Sequence, residues 1–238
     1  MARQAQRTLR KKTPRKRRVR ILLTCIGRRV ELLRAFRLAG KALGIRLEIH
    51  GADATPLSPA IQLVDYPHIV PAINSGKYID ALADIVQREK IDLLIPLIDS
   101  ELPAIASAVE RFSVLGCRAL ISSGSVVQVC RDKLLTCRKL TDAGIDTPAT
   151  SLWIAVVEQK RHRFPYFLKP RFGSAAMGNY VVRTLDELRT FGAWVKDAIV
   201  QEFVEGAEHT LDVYVDFEGR VRCVVPRKRL EVRTGEVS

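Results

Sequence analysis

The feature that most restricts what this chain can fold into is its alternation of short apolar segments with amphipathic ones. Val19-Arg20-Ile21-Leu22-Leu23 reads as a buried strand. From Val30 to Leu43, Leu32, Leu33, Phe36 and Leu43 recur at three- and four-residue steps, which predicts a helix stopped by Gly44. Ile45 to Gly51 predicts a second strand, residues 77–89 a helix, Ile91 to Ile98 a strand, residues 101–113 a helix, and Arg118 to Ile121 a strand. Strands and helices in strict alternation imply right-handed crossovers and a parallel sheet, so residues 19–122 are expected to form a doubly wound α/β domain.

From Ser125 the grammar changes. Residues 125–143 predict one long helix ending at Gly144, and Asp146-Thr147-Pro148 breaks the chain before a strand near Thr150 to Trp153. Tyr166 to Pro170 predicts a strand, Arg171 to Gly178 a loop of small residues, Tyr180 to Arg183 a strand, residues 184–197 a helix, and Ile199 to Phe203 a strand. Leu211, Val213, Val215 and Phe217 alternate, and Glu218-Gly219 turns the chain into Arg220 to Val225, an antiparallel hairpin. Residues 123–238 are therefore expected to form an α+β domain.

A net charge of +13 suggests a nucleic-acid partner until its location is considered. Ten of the 39 cations lie in the first 20 residues, where there is no Asp or Glu, and the remaining 218 residues hold 29 cations against 26 acids. Residues 1–18 read as a basic tail expected to be disordered: a solvated extension, a targeting peptide or a weak anchor to anionic surfaces. Aromatics make up 6% and do not interleave with the basic residues, so no specific nucleic-acid partner is expected. No apolar run approaches a bilayer span, and no membrane partner is expected. The five cysteines include no CxxC pair, and Cys130 and Cys137 are expected as core residues on one helix face. Unpaired cysteines without a secretory signal point to the cytoplasm.

The first strand-to-helix turn, Gly27-Arg28-Arg29, has one glycine where dinucleotide binding needs GxGxxG, so a Rossmann dehydrogenase is disfavoured. Gly27 is either a turn glycine or an opening for an anion at the next helix. Asp53, Asp99 and Glu101 follow strand ends, where open α/β sheets place ligands, although helix capping by Asp99 or Ser100 explains that segment equally well.

In the second half the order of motifs is specific. Cys130-Arg131-Asp132-Lys133 opening a helix, Phe167-Leu168-Lys169-Pro170, the loop Gly173-Ser174-Ala175-Ala176-Met177-Gly178, Gln201 to Glu208 and Pro226 to Glu231 together resemble the ATP-grasp superfamily, closest to its carbamoyl-phosphate-synthase-like carboxylate ligases. The resemblance implies that ATP is the bound cofactor, with Lys133 and Lys169 on its phosphates. Gly173, Ser174, Ala175, Ala176 and Gly178 would form a closing loop whose backbone N–H groups reach the same oxygens. By resemblance, Glu202 would accept the adenine amino group and Phe203 and Val204 would offer backbone to the base edge, from what reads as an edge strand. Glu208 would hold ribose hydroxyls, facing the cleft if Leu211 and Val213 face the core. Arg227, Lys228 and Arg229 would meet phosphate or an acidic substrate, with Asp212 either in the cleft or merely solvated.

Family members activate a carboxylate as an acyl phosphate for attack by an amine, so small-molecule carboxylate and amine substrates are implied, and a homodimer is compatible. They also hold Mg2+ through an acidic residue and a Glu-x-Asn pair further along the chain. After Arg229 only Glu231 and Glu236 remain here, so the sequence reads as a ligase cut short and lacking those ligands. No catalytic or metal-binding residue is assigned, and turnover is not expected. The alternative is a protein that binds adenine nucleotide without consuming it.

Overall fold

The structure, a computed structural model, describes residues 17–230 together with the backbone at Val232, Arg233, Glu236 and Val237. Most of the expected basic tail thus lies outside the described residues. The chain divides into two compact units, the first ending at Gly124 and the second beginning at Ser125.

The first unit contains β1 (Arg18–Thr24), α1 (Val30–Ala42), β2 (Arg46–Asp53), β3 (Tyr66–Ile69), α2 (Tyr78–Glu89), β4 (Leu93–Pro96), α3 (Leu102–Ser107), α4 (Val109–Val114) and β5 (Arg118–Ala119). Its five strands form a parallel sheet in the order β3-β2-β1-β4-β5. Both faces are covered, and β1 shows why the sequence demands this. Ile21 and Leu23 pack with Leu33 and Ile49 on one side, while Leu22 packs with Tyr78, Leu82 and Phe112 on the other. An uninterrupted apolar strand needs a helical layer on each face, and fully burying each such side chain contributes about 1.5–3 kcal/mol. The strand order reverses between β1 and β4, so the carboxyl ends of those two strands flank the switch point. The expected helix at 101–113 is two helices, α3 and α4, broken at Ala108.

The second unit contains α5 (Gly124–Arg131), α6 (Lys133–Asp142), β6 (Thr150–Leu152), α7 (Trp153–Val157), β7 (Tyr166–Pro170), β8 (Tyr180–Val182), α8 (Leu185–Trp194), β9 (Ala198–Glu202), β10 (His209–Val215) and β11 (Val221–Lys228). Short strands β12 (Val232–Arg233) and β13 (Glu236–Val237) pair antiparallel at the end. The single helix expected over 125–143 is interrupted at Asp132, whose backbone is extended and whose carboxylate accepts from Leu134 N at 3.0 Å and Leu135 N at 3.1 Å. A side-chain N-cap here begins a new helix. Cys130 and Cys137 therefore sit on different helices, Cys130 exposed and Cys137 half-buried, and the expectation of two core cysteines on one face is corrected.

Four antiparallel strands follow in the order β6-β9-β7-β8. One sheet face packs Leu168, Val182, Ala198 and Val200 against Val156 of α7 and Leu188 of α8. Gly192 allows that layer to close, because a Cβ there would stand 2.4 Å from the Trp153 ring. The strand ending at Glu202 is interior, flanked by β6 and β7, which corrects the expectation of an edge strand. β10 and β11 form a separate hairpin with both strands exposed. Leu211 and Val213, expected to face a core, are 63% and 54% exposed. Neither belongs to any core cluster of the described residues, so their alternation marks one face of a ribbon.

Candidate functional site

Three groups of residues converge where α6 begins. Lys133 N donates to Arg171 O at 3.1 Å, and Lys133 Nζ donates to Gly173 O at 2.9 Å, so the first turn of α6 is tied to the loop that follows β7. Asp132, 4% exposed, receives the Arg171 guanidinium through Nε at 2.8 and 2.9 Å and Nη2 at 2.5 Å. This bidentate pair holds the Asp132 carboxyl below the usual carboxylate range. One aspartate thus caps the helix that carries Lys133 and grips the chain two residues after Lys169. Asp132 was not singled out as a site residue, although its place before Lys133 at a helix start is the sequence signal of a cap.

Lys169 lies near the end of β7 with its Nζ 5.5 Å from the Phe167 ring centroid. Burial, and then the positive charge of Lys133, push its ammonium below the ordinary lysine range. Burial and the charge of Arg131 do the same to Lys133. Neither lysine has an ion pair among the described residues, so two neighbouring cations remain uncompensated. The loop beside them is exposed from Gly173 through Met177, and Gly173, Ala175, Ala176 and Gly178 have φ of +112°, +58°, +55° and +73°. Left-handed backbone costs an alanine roughly 1–2 kcal/mol, and strain of this kind is characteristic of ligand-clamping segments.

In the antiparallel register Lys169 stands opposite Ile199 and Tyr166 opposite Glu202. Side chains directly opposite share a face, so Phe167, Lys169, Ile199 and Gln201 leave one side and Tyr166, Leu168, Val200 and Glu202 the other. On the lysine face Gln201 Nε2 donates to Thr150 Oγ1 at 2.7 Å and reaches Cys137 Sγ at 3.4 Å. Glu202 ends the ladder, with its N–H on Ala149 O at 3.0 Å and its carboxylate accepting from Ala149 N at 3.5 Å. Phe203 and Val204 lie beyond the paired region, Val204 being 64% exposed.

The remaining expected residues lie on the hairpin. Glu208 pairs with Arg229 as Arg229 N donates to Glu208 O at 2.8 Å, and Asp212 pairs with Arg227 through Nη2 at 3.1 Å. Arg229 Nε is buried without a hydrogen-bond partner among the described residues. Lys228 is exposed at the strand end. In this arrangement Glu208 and Asp212 are each paired with an arginine of the facing strand or its end.

In the first unit, Gly27 N donates to Asp53 Oδ2 at 2.8 Å, which commits that N–H to the turn and favours the turn-glycine reading over an anion opening. Glu101 is fully buried and accepts from Tyr78 Oη at 2.6 Å, Leu97 N at 2.8 Å and Ile98 N at 3.2 Å. Both carboxylates hold strand-end turns together. Among the described residues no group of three or more His, Cys, Asp or Glu is gathered as a metal site would require. No described helix is long and apolar enough to cross a membrane.

Comparison with known proteins agrees with this fold. Residues 21–120 match the PylC-like N-terminal domain, and residues 130–238 match the ATP-grasp domain. No curated protein gives a significant match over the sequence. Among solved structures, the L-amino acid ligase from Bacillus licheniformis superposes with a TM-score of 0.67 at 19% identity over 90% of this chain. The biotin carboxylase domain dimer of Hydrogenobacter thermophilus 2-oxoglutarate carboxylase, solved with MgADP, ADP and bicarbonate, gives 0.69 at 18% over 91%. Phosphoribosylglycinamide synthetase from Anaerococcus prevotii gives 0.58 at 18% over 89%. The chain spans about half the length of each, 51%, 51% and 52%. A doubly wound parallel-sheet unit that matches the PylC-like N-terminal domain is followed by an antiparallel unit, and residues 130–238 of that second unit belong to the ATP-grasp domain family.

Proposed function

We propose that the second unit binds an adenine nucleotide, with the phosphates between Lys133, Lys169 and the Gly173–Gly178 loop and the base at the end of β9. The observation that carries this reading is the uncompensated lysine pair, since a polyanion is what two neighbouring half-buried ammonium groups lack. Glu202 lies three positions along the sheet from the level of Lys169, a separation of about 10 Å at strand rise, close to the span from nucleobase to terminal phosphates. The unpaired backbone of Phe203 and Val204 suits a purine edge, with Glu202 taking the amino group. Glu208 would turn from Arg229 to the ribose hydroxyls, and Arg229 to phosphate or acidic substrate.

The chemistry served is that of an ATP-dependent carboxylate–amine ligase. The γ-phosphoryl passes to a carboxylate oxygen, ADP leaves, an amine nitrogen attacks the acyl carbon, and phosphate departs. Lys133 and Lys169 would bear the charge that develops on the transferring group. Mg2+ would normally share that task. The described residues offer phosphate donors but no gathered carboxylates to hold it, so no step is assigned through the metal. The substrates in this reading are small molecules, and the setting is the cytoplasm.

Calorimetric titration with ADP tests the binding step. Saturable heat whose affinity falls in Lys169→Ala supports it, and no heat at millimolar ADP from the folded protein rejects it.

A further inference from the structure

On the face of the second sheet away from Lys169, a cleft of about 440 Å³ opens beside the end of β9. Val156, Phe164 and Tyr166 supply much of its apolar lining, and Ser151, Gln159, Arg163 and Glu202 supply polar groups. Two of these carry opposite charges, and neither has a strong partner. The Arg163 guanidinium makes no ion pair or hydrogen bond among the described residues, its backbone N–H alone being bonded, to Tyr166 Oη at 2.8 Å. Among the described residues the Glu202 carboxylate has only the 3.5 Å contact from Ala149 N. A cleft of this volume suits a small molecule. Both side chains are exposed at the rim of the cleft, so a ligand bearing both charges can pair with each, whereas a ligand bearing one gains only one charged hydrogen bond.

We propose that this cleft binds a small zwitterion with an apolar body, an amino acid or a close analogue. Its carboxylate faces Arg163, its ammonium faces Glu202, and its side chain lies against Val156, Phe164 and Tyr166. Lys133, Lys169 and the small-residue loop take no part, so the site is separate from the phosphate site. It meets the proposed nucleotide site only at Glu202 and Phe203, through which occupation of one would be felt at the other.

The experiment is backbone amide NMR on the whole chain, with L-phenylalanine or L-leucine as zwitterions, 3-phenylpropionate lacking the ammonium and phenethylamine lacking the carboxylate. The zwitterions should shift the amides of Ser151, Gln159 and Tyr166 saturably in the millimolar range, each half-probe should bind at least about tenfold more weakly, and Arg163→Gln should lower affinity by about tenfold. Arg163→Lys should recover part of the loss. Lys169→Ala should leave these shifts intact while weakening ADP binding, so the two sites fail independently. The proposal is overturned if neither zwitterion gives saturable shifts at about 10 mM. Equal binding of 3-phenylpropionate, or an unchanged titration in folded Arg163→Gln, overturns it as well.

Discussion

Lys169 and Glu202 occupy neighbouring antiparallel strands, yet their side chains leave opposite faces of the sheet. A nucleotide held by both must run along the lysine face and meet Glu202 where β9 ends. The two residues should therefore read different parts of the ligand. Lys169→Ala should weaken ADP and GDP alike, by about 1–3 kcal/mol, as expected for a charged hydrogen bond. Glu202→Gln should narrow the preference for ADP over GDP while leaving inorganic pyrophosphate binding unchanged. Parallel calorimetric titrations of the three ligands separate the effects, and an equal loss for all three in Glu202→Gln would place that carboxylate on the phosphates.

Asp132 links helix capping to loop position, and its removal should show in both. Asp132→Ala deletes the cap of α6 and strands the Arg171 guanidinium, a combined destabilisation of about 2–4 kcal/mol. Because the folded-state pKa of Asp132 is depressed, its stabilisation is present above the unfolded carboxylate pKa and lost as pH falls through the folded value. Urea unfolding at pH 7 and at progressively more acid pH should show the wild-type advantage over Asp132→Ala shrinking. An advantage that stays constant into strong acid would mean that the ionised carboxylate is not what stabilises α6.

Much of this architecture was legible beforehand because it follows from patterns of burial. Ile21-Leu22-Leu23 can only be a strand covered on both faces, and the parallel sheet follows. What escaped depended on single polar groups or on strand order. The break at Asp132 arises from one carboxylate competing for backbone N–H groups within an otherwise continuous helical period. The interior place of β9 is a matter of pairing with the distant β6 and β7, which no local pattern encodes. Alternation in Leu211 and Val213 identifies a strand but not what its faces meet, so the pattern alone does not distinguish an exposed hairpin from a half-buried one. Lys133, Lys169 and their loop are candidates through the order of motifs, while the partition of Lys169 and Glu202 between faces requires the register.

A second pH effect arises in the first unit, at the edge of the parallel sheet. His50 Nδ1 lies 3.0 Å from His68 Nε2, Tyr66 stacks on His50 at 4.5 Å, and His50 is 2% exposed with Nε2 unpartnered. Burial, followed by the neighbouring His68, lowers the His50 pKa to about 4, against the opposing pull of Glu89 and Glu48 and in concert with Arg20. Burial and Arg88 shift His68 in the same direction, opposed by Glu89. The unfolded chain then binds protons that the folded chain refuses, so stability falls as pH drops from about 6.5 towards 4, by up to about 3 kcal/mol for His50. His50→Leu should flatten the melting temperature of the first unit across that window, and His68→Gln should flatten it partly. A slope unchanged in both variants would assign the effect elsewhere.

The loop beside the lysines gives a test in which strain and ligand binding can be read separately. Ala175 and Ala176 both hold left-handed backbone, unfavourable by roughly 1–2 kcal/mol each, and the cost rises for a β-branched residue. If bound nucleotide uses this same conformation, lowering its cost should not harm binding. Ala176→Gly should leave ADP affinity equal or slightly raised, whereas Ala176→Val should reduce it by about tenfold as the loop abandons the left-handed run. Either change should alter the unfolding free energy by no more than about 1–2 kcal/mol, the size of the strain itself, because the exposed side chain adds nothing to the core. Isothermal titration paired with urea unfolding of both variants gives the two readouts. If Ala176→Gly lost affinity as severely as Ala176→Val, the left-handed run would not be the conformation that grips the phosphates, and the bound loop would have to adopt another.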